Sequence, residues 1–274
     1  MFRLCVWIFF FSGYFSVNAN MRQSYQRSSF NSGIINASSS GFEVKKEILN
    51  FFCESPYSGD LAVVRKERRY CNIEAKYFVE TSQELSLDLE FILPHFGSIV
   101  YKTAPESAAA LATGIADARP VNPDTYNSLL QRPFEIWSNN QEYFLYAADF
   151  SVTLRKGNNL IMVSYSVPLD VSETSHGYFT GSKWSSGVGY ELWPLKQWTL
   201  AQDFMLEINA GYKKSGGFSS MVFKKDIKLL GAMKSKGEIQ KFAAKDCRMK
   251  DKYFICSFNL SRNFPDRIFM EITE

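Results

Sequence analysis

The stretch ELSLDLEFIL, residues 84–93, decides the fold class. Leu85, Leu87, Leu89, Phe91 and Leu93 fall on one side of an extended chain, and Ser86, Asp88 and Glu90 on the other. A half-buried strand needs this period of two, because successive side chains point to opposite faces of a sheet.

The same period recurs outward from that stretch. YCNIEAKYFVE (70–80) alternates through Cys71, Ile73, Ala75, Tyr77 and Val79. FSVTL (150–154) and IMVSYSV (161–167) alternate on either side of RKGNN, where Gly157 and Asn158 supply turn conformations. Residues 147–168 therefore read as a β-hairpin. DFMLEINA (203–210), YFICSFNL (253–260) and RIFMEIT (267–273) continue the pattern. About eleven strands are expected in all. Two short helices are expected between them. Thr103 and Glu106 form a capping box ahead of an alanine-rich run that ends at Gly114, and Asn122 caps NPDTYNSLLQRP up to Pro133. The predicted fold is all-β: an antiparallel β-sandwich, or two packed sandwich domains, with a short helical insertion at about 103–135.

Tyr190, Leu192, Pro194 and Trp198 form a Y-x-L-x-P-x-x-x-W pattern ahead of a strand. With the 147–168 segment before it, this layout resembles uncharacterised secreted β-sandwich proteins of bacteria over residues 43–100 and 145–210. The resemblance implies a fold and a compartment, and no activity.

The amino terminus agrees on the compartment. Arg3 precedes a mostly apolar run from Leu4 to Val17, and Val17, Asn18 and Ala19 suit a signal peptidase. The run is short for a membrane-spanning helix, which needs about 20 residues. Residues 1–19 are read as a cleaved signal and 20–40, rich in Ser and Asn, as a flexible leader. The body then divides into an N-terminal β region, 41–170, and a C-terminal β region with a basic lobe, 171–274. No transmembrane segment is expected after cleavage. The chain is expected outside the cytoplasm: periplasmic, on the cell surface or secreted.

Cleavage removes Cys5 and leaves Cys53, Cys71, Cys247 and Cys256. An even number of cysteines in an exported chain points to disulfides. Three pairings are possible. Cys53–Cys71 and Cys247–Cys256 are favoured, since each pair is close in sequence and flanks strands expected to be neighbours. CRMKDKYFIC (247–256) then reads as a stapled hairpin turning near Met249–Lys252. Zinc would want C-x2-4-C spacing or nearby histidines, and a thioredoxin-like site C-x-x-C; neither is present.

Residues 213–252 hold twelve Lys or Arg against four Asp or Glu, in a chain of formal net charge +3. Lys224, Lys225 and Lys228 mark this lobe as a candidate surface for an anionic envelope polymer. The other candidate surface is aromatic. Tyr178, Phe179, Trp184, Tyr190, Trp193 and Trp198 sit among glycines and serines at 173–198, a frame suited to contacting glycan or protein. Tyr178 and Trp184 are the residues singled out there, and Trp193 and Trp198 are expected to fill the core. Nucleic acid is not an expected partner, for want of interleaved basic and aromatic residues.

Catalytic signatures are missing. His95 and His176 are the only histidines, and GSKWSSG (181–187) lacks the spacing of a nucleophile elbow. No metal-binding or phosphate-loop motif occurs, and no cofactor is expected. Sequons at Asn36 and Asn259 matter only in a eukaryotic secretory pathway. The leading reading is an exported, non-enzymatic binding or cell-envelope structural protein. Two others stay open: a secreted, glycan-directed hydrolase whose carboxylate or histidine site is assembled by the fold, and an outer-membrane barrel, whose strands also alternate.

Overall fold

The computed structural model describes residues 20–23, 41–54, 69–93, 97–105, 112–121, 145–177, 181–192, 195–213, 226–232, 239–251 and 253–273. These residues are almost entirely strand. In the first half run β1 (Asn20–Gln23), β2 (Phe42–Cys53), β3 (Arg69–Thr81), β4 (Leu85–Leu93), β5 (Ser98–Pro105), β6 (Ala112–Val121) and β7 (Leu145–Leu154). They are followed by β8 (Gly157–Gly177), β9 (Gly181–Glu191), a single 3-10 turn at Leu195–Gln197, and β10 (Leu200–Lys213). The chain ends with β11 (Asp226–Ala232), β12 (Ile239–Phe242), β13 (Asp246–Lys250), β14 (Tyr253–Leu260) and β15 (Arg267–Thr273). The all-β expectation holds.

The strands form three linked sheets. A first sheet runs β1-β4-β7 and takes in the second half of β6. A central sheet starts from the first half of β6 and continues β5-β8-β3-β2-β10-β14-β13. A third runs from the far end of β8 through β9 and β15 to β11 and β12. Two strands each belong to two sheets. In β6, residues up to Asp117 pair with β5, and those from Ala118 pair with β7. In β8, residues up to Leu169 pair with β3, and those from Asp170 pair with β9.

One face of the central sheet is the floor of the core. Leu49, Phe51 and Cys53 of β2, Ile73, Ala75 and Tyr77 of β3, Ile161 and Val163 of β8, and Leu206, Ile208 and Ala210 of β10 are all buried. Two layers cover this floor. From the first sheet, Phe91 packs on Tyr165 at 5.1 Å and Phe150 stacks on Tyr101 at 4.6 Å. From the third, Tyr190 meets Phe51 edge-on at 6.3 Å. Apolar burial on this scale, at about 25 cal/mol per Å², supplies the main force holding the layers together.

Four expectations need correction. First, residues 147–168 are not a hairpin. β7 pairs with β4 and β6, while β8 pairs with β3 and β5, so the chain crosses from the first sheet to the central one at Arg155–Lys156. The turn signal was real: Gly157 has φ +99°. The buried amide of Asn159 then fastens the corner, donating to Arg155 O at 2.7 Å and Gly157 O at 2.8 Å and accepting from Arg155 N at 3.0 Å. Thr81 Oγ1 donates to the same Arg155 carbonyl at 2.6 Å. Those bonds hold a corner between layers, and local sequence cannot tell such a corner from a hairpin.

Second, the sheet is not purely antiparallel: β2 and β10 run parallel. Of the strands between them in sequence, β3, β5 and the first part of β8 share the central sheet, while β4, β7 and β9 lie in the other two. Third, the helix expected from Thr103 to Gly114 fails at both ends. Thr103 lies in β5 and Ala112–Gly114 in β6, with Thr103 opposite Ala112; residues 106–111 between them lie outside the described residues. Helix propensity is a weak preference, and the ladder with β8 overrides it. Gly114 is not a helix cap; the Tyr101 ring lies where its Cβ would be. The second expected helix, 122–133, falls outside the described residues. Fourth, among the described residues the strand path ends at β1 and β13 without closing, so it lacks the continuous ladder of the barrel alternative.

Both expected disulfides are present. Cys53 lies directly opposite Cys71 across β2 and β3, with Cα atoms 3.9 Å apart. Cys247 lies opposite Cys256 across β13 and β14, with Cα atoms 4.1 Å apart. The second pair staples a tight hairpin in which Asp251 takes the left-handed conformation, φ 53°. Two such staples fit a chain that folds in an oxidising environment.

Candidate functional site

The two surfaces expected from sequence are reached only in part. Tyr178, Lys224 and Lys225 lie outside the described residues, as do Phe179, Trp193, His95 and His176's side chain. Trp184 is in β9 opposite Glu173, with only its backbone described. Lys228 is half-buried in β11 and pairs with Glu271 at 3.6 Å. The rest of the basic lobe is divided: Lys241 is on β12 of the third sheet, Arg248 and Lys250 on β13 of the central one.

The segment expected to be an aromatic loop is largely a strand. Residues 181–191 are β9, paired on both sides. Gly187 serves packing there, since the Phe269 ring occupies the space a Cβ would need. Tyr190 and Leu192 are buried outright. Trp198 is half-buried against Phe42 at 5.2 Å and Tyr77 at 5.6 Å, as a core-filling residue should be. Tyr190, Leu192 and Trp198 of the pattern thus flank the passage from the third sheet back into the central one. Leu192 N donates to Asp266 O and Trp198 N to Leu195 O, while Lys196 pairs with Asp266 at 2.8 Å.

Two features were not found from sequence. The first is a buried polar cluster. Glu47 of β2 is fully buried, in phase with Leu49 and Phe51. Tyr190 donates to its Oε1 at 3.3 Å, and the Tyr190 hydroxyl is 2.9 Å from that of Tyr77. Glu47 Oε2 and the Tyr165 hydroxyl are buried without a hydrogen-bond partner. Burial pushes the Glu47 carboxyl up to about 8, and the tyrosine hydrogen bonds offset this only in part. The carboxyl is sealed inside the core, so it can store a proton but meets no solute there.

The second is a groove on the opposite, outer face of the central sheet. It is open, about 500 Å³ in volume, and lined by Phe52 of β2, Asn72, Ile73 and Glu74 of β3, Gly97 with Ser98 and Val100 of β5, and Ser164, Tyr165 and Ser166 of β8. The register explains the gathering. Asn72 faces Ser166 and Glu74 faces Ser164 across β3 and β8, and Ser164 faces Val100 across β8 and β5. Apart from the buried Ile73 and Tyr165, the strand residues of this lining are the off-phase neighbours of buried ones.

Hydrogen bonds order this face. Glu74 Oε1 accepts from Asn50 Nδ2 at 3.0 Å and from Lys76 Nζ at 2.9 Å. The network continues to Asn209, whose Nδ2 donates to Asn50 Oδ1 at 3.0 Å, and to Ser257, which donates to Asn209 Oδ1 at 2.7 Å. Lys46 pairs with Glu207 at 2.7 Å and holds its carboxyl below the usual range. Ser166 donates to Asn72 Oδ1. Asn72 Nδ2 and Glu74 Oε2 remain for a visitor.

No family model matches the sequence, and no curated protein matches it. Among solved structures, one similar in fold is a Legionella pneumophila protein for which nutrient binding has been proposed. It is 9% identical, with a TM-score of 0.47, and the match covers 94% of this chain and 72% of that one. Another is native leukotriene A4 hydrolase of Saccharomyces cerevisiae, 8% identical, with a TM-score of 0.34, covering 84% of this chain and 29% of that one.

Proposed function

We propose that this chain is an exported, extracytoplasmic binding protein that holds a small polar ligand in the outer groove of its central sheet. The observation that carries the reading is the groove itself. Its volume lies in the range of ligand sites, about 300–1,000 Å³, and its polar groups converge from three adjacent strands over a rigid, buried floor. Sites on strands are held more precisely than sites on loops. The two disulfides and the amino-terminal layout support export. A hydrolase acting in the groove would need a partner for Glu74, the one carboxylate among its described lining residues, and that carboxylate is already tied to Asn50 and Lys76.

A thermal-shift panel tests this. Neutral sugars, sugar acids, amino acids, nucleosides and phosphorylated metabolites are titrated against wild type and against Ser164→Trp, which fills the groove from its centre. At least one class raises the melting temperature of wild type by several degrees, and Ser164→Trp abolishes that shift. A panel without any shift, or a shift that survives the substitution, contradicts the reading. If Ser164→Trp fails to fold, Asn72→Ala serves in its place.

A further inference from the structure

Resting on the groove as the binding site, we infer that its ligand is a neutral, polyhydroxylated molecule: a saccharide unit.

An anionic ligand meets no Lys, Arg or His among the described lining residues, so it would give up its water without gaining a charged partner there. A cationic ligand finds a single carboxylate, already neutralised by Lys76 at 2.9 Å. A wholly apolar ligand would strip water from Asn72, Glu74, Ser98, Ser164 and Ser166 without replacing its hydrogen bonds, and each such loss costs about 1–3 kcal/mol.

A sugar ring satisfies the lining. Asn72 and Glu74 lie two residues apart on β3, about 7 Å along one face. Ser166 and Ser164 lie opposite them on β8, roughly 5 Å across. Asn72 Nδ2 is a donor and Glu74 Oε2 an acceptor, and the Ser164 hydroxyl, which donates to Val100 O at 3.3 Å, offers its oxygen as a second acceptor. Neighbouring hydroxyls on one ring, each both donor and acceptor, match that mixed array. Phe52 extends the Asn72 row on the neighbouring strand and is packed against Tyr253 at 5.3 Å. It offers an apolar wall for the C–H face of the ring, with a rigid aromatic body and little entropy to lose.

Calorimetry with maltose, cellobiose and N,N′-diacetylchitobiose as probes tests the inference on the full mature chain. Glucuronate, glucose 6-phosphate and glucosamine serve as charged counterparts. At least one neutral disaccharide binds with a Kd in the micromolar to millimolar range. Asn72→Ala weakens it tenfold or more, Phe52→Ala does the same, and raising the salt concentration leaves the affinity unchanged, as a neutral ligand requires. If only charged probes bind and Asn72→Ala weakens them, the saccharide inference is overturned while the groove stands. If probes bind and neither substitution matters, the groove reading falls as well. Circular dichroism of each variant confirms that the fold is kept.

Discussion

Lowering the pH from about 8 to about 5 is expected to raise the protein's thermal stability, and Glu47→Gln is expected to abolish that rise. Glu47 has a folded-state value of about 8 against an ordinary value of 4.5. Between those limits the folded protein holds a proton that the unfolded chain releases. Stability therefore falls as pH climbs through the window, and is fully recovered below about 4.5. Each unit of displacement corresponds to about 1.4 kcal/mol, so the limiting change approaches 5 kcal/mol; an observed change of about 2–5 kcal/mol is expected after local relaxation. The groups facing Glu47 are Tyr77 and Tyr190, with Tyr165 close by, and burial pushes all three hydroxyls up, out of this window. Glutamine keeps an oxygen to accept from Tyr190 and has no proton to lose. Its melting temperature should exceed that of wild type at pH 8 and vary little down to pH 5. Glu207 works in the opposite sense below its ordinary value of 4.5, where protonation breaks its pair with Lys46. Melting curves of both proteins at half-unit steps from pH 5 to 8.5 decide the matter. Parallel profiles would show that Glu47 is not the group responsible.

The second large effect concerns the buried disulfide. Replacing Cys53 and Cys71 together by alanine should cost about 3–4 kcal/mol. Closing an 18-residue separation contributes roughly 3 kcal/mol by the chain-entropy model. Loss of two fully buried sulfur atoms opposite Val167 adds a cavity cost. At about 2–4 °C per kcal/mol for a chain of this size, the melting temperature should drop by roughly 10 °C. The Cys247–Cys256 pair closes a separation of only 9, and Cys247 is exposed. Its removal should cost less, and graded reductant should open it first, since thiol exchange needs access. Alkylation and intact-mass measurement along a reductant series would show one pair modified before the other. Simultaneous opening of both would mean that the core does not shield Cys53 and Cys71.

Much of the architecture was readable because alternation is a local property. Leu85 to Leu93 alternate in sequence and do so in β4, where Leu87, Leu89, Phe91 and Leu93 are buried. The two cysteine pairs were readable because each joins strands that are neighbours both along the chain and in space. Strand order was not readable. Arg155–Asn159 carries turn chemistry equally suited to a hairpin and to a corner between layers, and only pairing with β3 and β5 distinguishes them. Glu47 was hidden for a related reason. In EVKKEILNFFC (43–53) both faces carry apolar residues, Ile48 and Phe52 on one and Leu49 and Phe51 on the other, so the phase is ambiguous. The one available signal was that Glu47 keeps step with Leu49, Phe51 and Cys53. The groove residues were visible as the polar phase of two strands, Asn72 and Glu74 in one, Ser164 and Ser166 in the other. Their meeting depends on the register between β3 and β8, a long-range property that no local pattern encodes.

The most direct test of the central claim is amide chemical-shift mapping of the 15N-labelled protein titrated with the neutral disaccharide that binds best. The account predicts shifts concentrated at Phe52, Asn72, Glu74, Ser98, Ser164 and Ser166, with the buried Glu47 cluster on the opposite face of the sheet silent. Shifts centred instead on residues 178–198 or on the lysine-rich segment 213–252 would contradict it and move the binding site to those surfaces.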